Sequence, residues 1–239
     1  QALGMLPEAV CDAERSVTLA DRSGNGEQMI TKRATHGEAL HQSGQYAEAL
    51  GLFQQAEEIQ SRYQPEYPRL YSMQGIKYCD LLLAIPERLA WQRLTGLEER
   101  GCALDPWVVA AATSGIGLSG FSDDSGFRDY CRWIGGRLEW AMRIAVAGRQ
   151  STLYLALHRL TLVRAIFYCM VIYEAPRQVP HRALPSIASD LSIAVDELRL
   201  AGQVQEIPRG LLARSAVHSV KGDLDSARAD LDEAWDLAR

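Results

Sequence analysis

In GQYAEALGLFQQAEEIQ, residues 44–60, Tyr46, Ala49, Phe53 and Ala56 recur three to four positions apart, which puts them on one face of an α-helix. The preceding stretch TKRATHGEALHQSG carries Ala34, Gly37 and Leu40 or His41 on one face of another helix. QSGQ between them has turn chemistry, so the two segments predict a short-looped helical hairpin. Helical spacing continues almost everywhere outside a Gly- and Ser-rich stretch at 112–126, and an all-α chain is expected.

The hairpin pattern recurs. SVKGDLDSARADLDEAWDLA places Gly222, Leu224, Ala227, Leu231 and Ala234 in the same relative positions as Gly44, Tyr46, Ala49, Phe53 and Ala56. GMLPEAVCDAERS repeats the first part with Gly4, Leu6, Ala9 and Ala13, and Ser16 stands where the last Ala would be. Weaker copies lie between. PRLYSMQGIKYCDLLL, with Tyr71, Gly75 and Tyr78, reads as a first helix whose partner is either PERLAWQRLTGLEER or FRDYCRWIGGRLEWAMRIAVAG. LYLALHRLTLVRAIFYCM reads as the next first helix, paired with PSIASDLSIAVDELRLAG, and PRGLLARSAVHSVKG opens the last pair after Pro208.

The order G-x-Y-x-x-A-x-x-x-F-x-x-A, after a helix carrying a small residue, resembles the tetratricopeptide repeat. In the best copy Gly37, Leu40, Gly44, Tyr46, Ala49, Phe53 and Ala56 match the repeat's signature, while Arg33 replaces its first-helix aromatic and Ser61 its closing Pro, so YQPEYP is expected to act as a longer connector. The resemblance is strong over 27–62 and 205–239, weak over 1–21, 66–85 and 127–200, and absent over about 101–126. It implies a right-handed α-solenoid of stacked hairpins filling 1–239 as one array. Its units are a partial repeat at 1–21, a repeat at 27–62, a repeat at 66–148 with an irregular insertion at about 101–126, a degenerate repeat at 151–200 and a repeat at 205–239. With no initiator Met, and with both ends inside the repeat pattern, the chain is expected to be a fragment of a longer protein.

Composition narrows the function. With 239 residues, 47% hydrophobic and 23% charged, the chain has the balance of an ordered soluble protein, and a net charge of -5 provides no general field for nucleic acid. The arginines of FRDYCRWIGGRLEWAMRIAVAGR alternate with apolar residues at helical spacing and read as the wet face of an amphipathic helix. Five scattered cysteines without a C-x-x-C pair, and His36 and His41 five apart, give no disulfide framework and no metal site. STLYLALHRLTLVRAIFYCMVIY, residues 151–173, is long enough to span a bilayer, but His158, Arg159 and Arg164 interrupt it, so a helix buried on most sides is expected, in a cytoplasmic protein.

Gly115, Gly117 and Gly120 in ATSGIGLSGFSDDSG match G-x-G-x-x-G after the apolar run WVVAAA. A dinucleotide turn must lead at once into a helix whose N-terminal amides hold the pyrophosphate. Here FSDDSG follows, with Asp123 and Asp124 adding negative charge, and its Ser-Gly breaks the run before the next helical pattern begins at Phe127, with Asp124 or Ser125 as the expected helix start and N-cap. The stretch therefore reads as an insertion, a flap over the array. No cofactor, no catalytic group and no enzyme activity are expected, since GLSG lacks the spacing of a nucleophile elbow.

The resemblance implies a scaffold whose first helices line a concave groove that takes a peptide or protein segment. Carried over by position, the groove residues are Glu38, His41, Arg69, Ser72, Ile76, Asp80, Arg164, Tyr168 and Arg209. The arginines among them suggest a segment with acidic and apolar character. The last helix keeps Leu231, Ala234, Trp235 and Leu237 apolar, which makes it a candidate for self-association or for packing on a further repeat. Two other readings stay open: a sensor or assembly module acting on an effector domain elsewhere, and a nucleotide-binding enzyme using the Gly-rich insertion.

Overall fold

The computed structural model describes residues 5–95, 124–173 and 183–239, and side chains at 124–128 and 173 are outside that description. Among the described residues there are nine α-helices, one short 3-10 turn and no strand. The helices are α1 (Leu6–Ser23), α2 (Gly26–Gln42), α3 (Tyr46–Tyr63), α4 (Ser72–Thr95), α5 (Asp124–Ala147), α6 (Thr152–Tyr173), α7 (Leu184–Leu200), α8 (Ile207–Lys221) and α9 (Leu224–Leu237). The Gly-rich insertion, with Gly115, Gly117 and Gly120, lies outside the described residues. Helix α5 begins at Asp124, where the sequence places a helix start. The chain divides into two compact units: described residues 5–84 and 124–127 form the first, and 85–95, 128–173 and 183–239 the second.

In the first unit, α2 opens with Asn25 as N-cap, its Oδ1 accepting from the Gln28 amide at 3.0 Å and so satisfying an amide that has no partner within the helix. α2 and α3 form the expected hairpin, and α1 packs on α2. Of the sequence pattern, Ala34, Gly37 and Leu40 on α2 and Ala49, Phe53 and Ala56 on α3 are buried, Tyr46 and His41 are half-buried, and Ile30, Ala39 and Leu50 add to the buried faces. Small residues set the spacing. A methyl group on Gly37 would sit 2.9 Å from the Phe53 ring, closer than side chains pack. Phe53 in turn stacks on Tyr78 of α4, ring centres 5.1 Å apart and planes 3° from parallel.

Of the two candidate partners for the helix at Tyr71–Tyr78, PERLAWQRLT does not start a new helix. It continues α4 through Pro86. A proline inside a helix costs a hydrogen bond and strains the preceding turn, a penalty that packing must offset. Leu81, Leu82, Leu83, Ile85, Pro86 and Ala90 are all buried, which supplies that packing.

In the second unit α6 packs on α7, α7 on α8 and α8 on α9, and α6 also reaches α8. Helix α6 is long and apolar enough to cross a bilayer, yet two thirds of it is buried within the protein. Its hydrophobicity all round therefore has a structural use: it meets other helices on most sides. On α9 Ala227 and Ala234 are buried, whereas Leu224 and Leu231, which match Tyr46 and Phe53 in the sequence, are exposed; the helix starts after Asp223, whose carboxylate accepts from the Ser226 amide at 3.2 Å.

One buried group in α6 lacks compensation. His158 is almost fully enclosed, and neither ring nitrogen has a hydrogen-bond partner among the described residues. Burial pushes its pKa down from 6.5 to about 4.

Two outcomes follow from this packing. Replacing Ala49 by Leu should overpack the α2–α3 interface by about 1–3 kcal/mol, and hydrogen exchange should then rise in α2 and α3 while α8 and α9 keep their protection. For His158, folded and unfolded chains are both neutral above pH 6.5. As pH falls from there toward about 4, only the unfolded chain gains the proton, so stability declines by about 3 kcal/mol across that window and levels off below it. Urea midpoints measured through the window should fall less in His158→Phe than in the parent chain.

Candidate functional site

A cleft of about 230 Å³ opens in the first unit between the start of α2, the end of α3 and the connector leading into α4. It is lined by Glu27, Ile30 and Thr31 from α2, Gln60, Tyr63 and Gln64 from the end of α3, and Leu70, Tyr71, Ser72 and Gln74 beyond the connector. The connector is the YQPEYP segment, whose two prolines cannot continue a helix. It is anchored rather than loose. The Leu70 amide donates to Glu57 Oε1 at 2.9 Å, and the Leu70 side chain is buried. Gly75 lets the connector pass over the first turn of α4, since a Cβ there would lie 2.5 Å from the Leu70 carbonyl oxygen. Ser72 begins the helix at φ 55°, a left-handed conformation that costs a non-glycine residue about 1 kcal/mol or more and that the surrounding contacts must hold.

Polar side chains tie the walls together. Gln60 Nε2 donates to Gln64 Oε1 at 2.8 Å and to the Tyr67 carbonyl at 3.1 Å. The Tyr71 hydroxyl donates to Gln64 Oε1 at 3.2 Å, and Gln74 Nε2 to Thr31 Oγ1 at 3.3 Å. The Tyr67 and Tyr71 rings meet with centres 5.4 Å apart. Burial, then the neighbouring Tyr67, Glu66 and Glu27, raise the Tyr71 pKa, so the phenol stays protonated and available as a donor.

Of the nine groove residues expected from sequence, Ser72 lines this cleft, and Arg69 is exposed in the connector beside Leu70. Glu38 on α2 forms an ion pair with Lys77 on α4, next to Ile76, which is buried. His41 is half-buried and meets the Tyr46 ring edge-on at 6.5 Å, and Asp80 is half-buried on α4. The α2 and α4 positions are thus linked through Lys77 and through Thr31–Gln74.

Arg164, Tyr168 and Arg209 belong to the second unit. Arg164, 5% exposed, donates through Nη2 to Glu87 Oε2 at 3.0 Å, and the Tyr168 hydroxyl, 1% exposed, donates to Glu87 Oε1 at 2.6 Å. One carboxylate of α4 therefore holds two residues one helical turn apart on α6. Burial raises the Tyr168 pKa, and Glu87 adds to the rise, so the phenol remains the donor. These two side chains serve the packing of α4 on α6 and present little surface to a ligand. Arg209 pairs with Glu206 at 3.1 Å. On α9, Leu231 and Trp235 are exposed, Trp235 by 63%, and the Arg239 guanidinium lies 5.1 Å above the Trp235 ring.

Glu87 and most of the cleft went unread in the sequence. Tyr63, Tyr67 and Tyr71 stand four apart across a segment whose prolines exclude a helix, and an aromatic run of that kind in a connector is the signal that marks the cleft. Among the described residues no group of three or more His, Cys, Asp or Glu converges as a metal site would. In comparisons with known proteins the chain matches no family model, no curated protein and no solved structure.

Removing the shared carboxylate tests the second unit. Glu87→Ala removes the ion pair that the buried Arg164 makes with Glu87. Because the Glu87 side chain is one-third exposed, the loss should be about 2–3 kcal/mol, below that of a fully enclosed pair. Chemical denaturation measures it, and the double variant Glu87→Leu with Arg164→Met should recover most of the loss.

Proposed function

We propose that the chain is a helical-repeat scaffold, built like stacked tetratricopeptide hairpins, that binds a peptide or protein segment along its first helices. The observation that carries this reading is the open cleft between α2, α3 and α4, with its rim of glutamine amides, tyrosine rings and hydroxyls. Such groups recognise extended backbone and side chains. The repeated neighbour packing supports the scaffold part. α2 and α4 are joined by Glu38–Lys77 and Thr31–Gln74 in the first unit, and α6 reaches past α7 to α8 in the second. In a stacked array, first helix meets first helix in this way.

The groove in this reading is the α2–α4 face that carries Glu38, His41, Ser72, Asp80 and, at the connector, Arg69. Arg164 and Tyr168 belong to the second unit, where Glu87 holds them, and are not part of this face. An acidic segment was suggested by Arg69, Arg164 and Arg209, but Glu87 and Glu206 already pair with the latter two, which weakens the pull on an acidic ligand.

Selection of short random peptides displayed on phage against the whole chain tests the reading. Enriched peptides should share a motif. Their affinity should fall about tenfold in the double variant Glu38→Ala with Lys77→Ala, which removes both members of the ion pair and strands neither charge. Circular dichroism and a melting curve establish that the variant is folded. Failure to enrich any peptide, or equal binding to the variant, would overturn the proposal.

A further inference from the structure

We infer that the cleft in the first unit receives a cationic side chain, the guanidinium or ammonium group of an arginine or lysine carried by the bound segment. This rests on the peptide-binding reading above and names the chemistry of its ligand. Size sets the scale. About 230 Å³ is less than the roughly 300–1,000 Å³ that encloses a whole small molecule, and it suits one long side chain entering from an extended backbone.

The lining sets the sign. Glu27 lines the cleft, and Glu66 lies near enough to act electrostatically on Tyr71 in its wall. Neither carboxylate has an ion-pair partner among the described residues. Arg62, in the last turn of α3, is already paired with Glu58. Gln60, 5% exposed, spends its amide nitrogen on Gln64 and Tyr67, which leaves its Oε1 an acceptor with no partner among the described residues. That oxygen stays open to solvent, and it can accept from a ligand N–H that enters the cleft.

Aromatic surface completes the arrangement. Tyr63 is half-exposed at the rim, and Tyr67 stands exposed against Tyr71. Ring faces attract a cation through their quadrupole, most strongly where water is partly excluded. A guanidinium adds planar N–H donors that can serve the Gln60 oxygen and a carboxylate together. Rings, carboxylates and an unpaired acceptor oxygen all favour the same ligand group.

Acetyl-arginine-amide, acetyl-citrulline-amide and acetyl-glutamate-amide, titrated separately into the whole chain and followed by amide NMR shifts, test the inference. Citrulline keeps the size and shape of arginine and removes its charge. The arginine compound should shift signals at 27–31, 60–64 and 70–74 and bind about tenfold more tightly than the citrulline compound. Glu27→Gln combined with Glu66→Gln should lower arginine affinity about tenfold and leave the weak citrulline binding unchanged. Added salt should weaken the arginine compound alone. Equal binding of arginine and citrulline, tighter binding of the glutamate compound through Arg69, or no shift at these residues would each overturn the inference. Preference for glutamate while selected peptides still depend on Glu38 and Lys77 overturns the cation and leaves the scaffold standing. Arginine shifts without any peptide enrichment do the reverse.

Discussion

Two helices can approach only as far as the bulkiest atoms between them allow, and this chain's hairpins depend on that limit. In the first unit Ala34 and Gly37 face Ala49, Phe53 and Ala56, so one large ring fills the gap that small residues leave. The consequence passes along the chain. Phe53 projects far enough to stack on Tyr78, which joins α3 to α4. With α4 in place, its first turn and the connector above it form a wall of the cleft. A methyl group added at the α2–α3 crossing thus bears on a cleft whose wall is made by other residues.

Charge inside the second unit follows a different rule. Arg164 sits where water hardly reaches, and such a charge persists only when a partner and further hydrogen bonds replace its hydration. Glu87 supplies the partner, and its second oxygen takes the Tyr168 hydroxyl. Arg214 does the same between α8 and α9, with Nε and Nη2 on Asp230 at 2.9 and 2.7 Å and Nη1 on Ser192 of α7. These planar contacts fix the relative rotation of helices whose apolar faces alone would allow some sliding. His158 has no comparable arrangement, and it is kept neutral by its surroundings.

What the sequence made legible was local. Helical spacing at Tyr46, Ala49, Phe53 and Ala56 marks α3, the QSGQ turn separates α2 from α3, and Asp124 opens α5, because periodicity, turn chemistry and helix starts are written in adjacent residues. The continuation of α4 through Pro86 was not legible, since the burial of Leu81–Leu83 that sustains it depends on the rest of the fold. The candidate site shows the same divide. Ser72, carried over by position from the repeat resemblance, lines the cleft, whereas Gln60, Gln64 and Tyr71 come together only when the connector folds back over α4. Glu87 could not be matched to Arg164 from spacing, because nothing local joins residues 77 apart.

That separation bears on the order of assembly. The contacts of α1 with α2 and of α2 with α3 link near neighbours in sequence, and low contact order favours their early closure, even during synthesis. The Glu87 clamp must instead wait until α6 exists. Loop-closure entropy grows only as the logarithm of length, so bringing 77 residues into a ring is a modest penalty, and the carboxylate meets it with two hydrogen bonds at once. The clamp thus ties together segments that no contact between sequence neighbours would join.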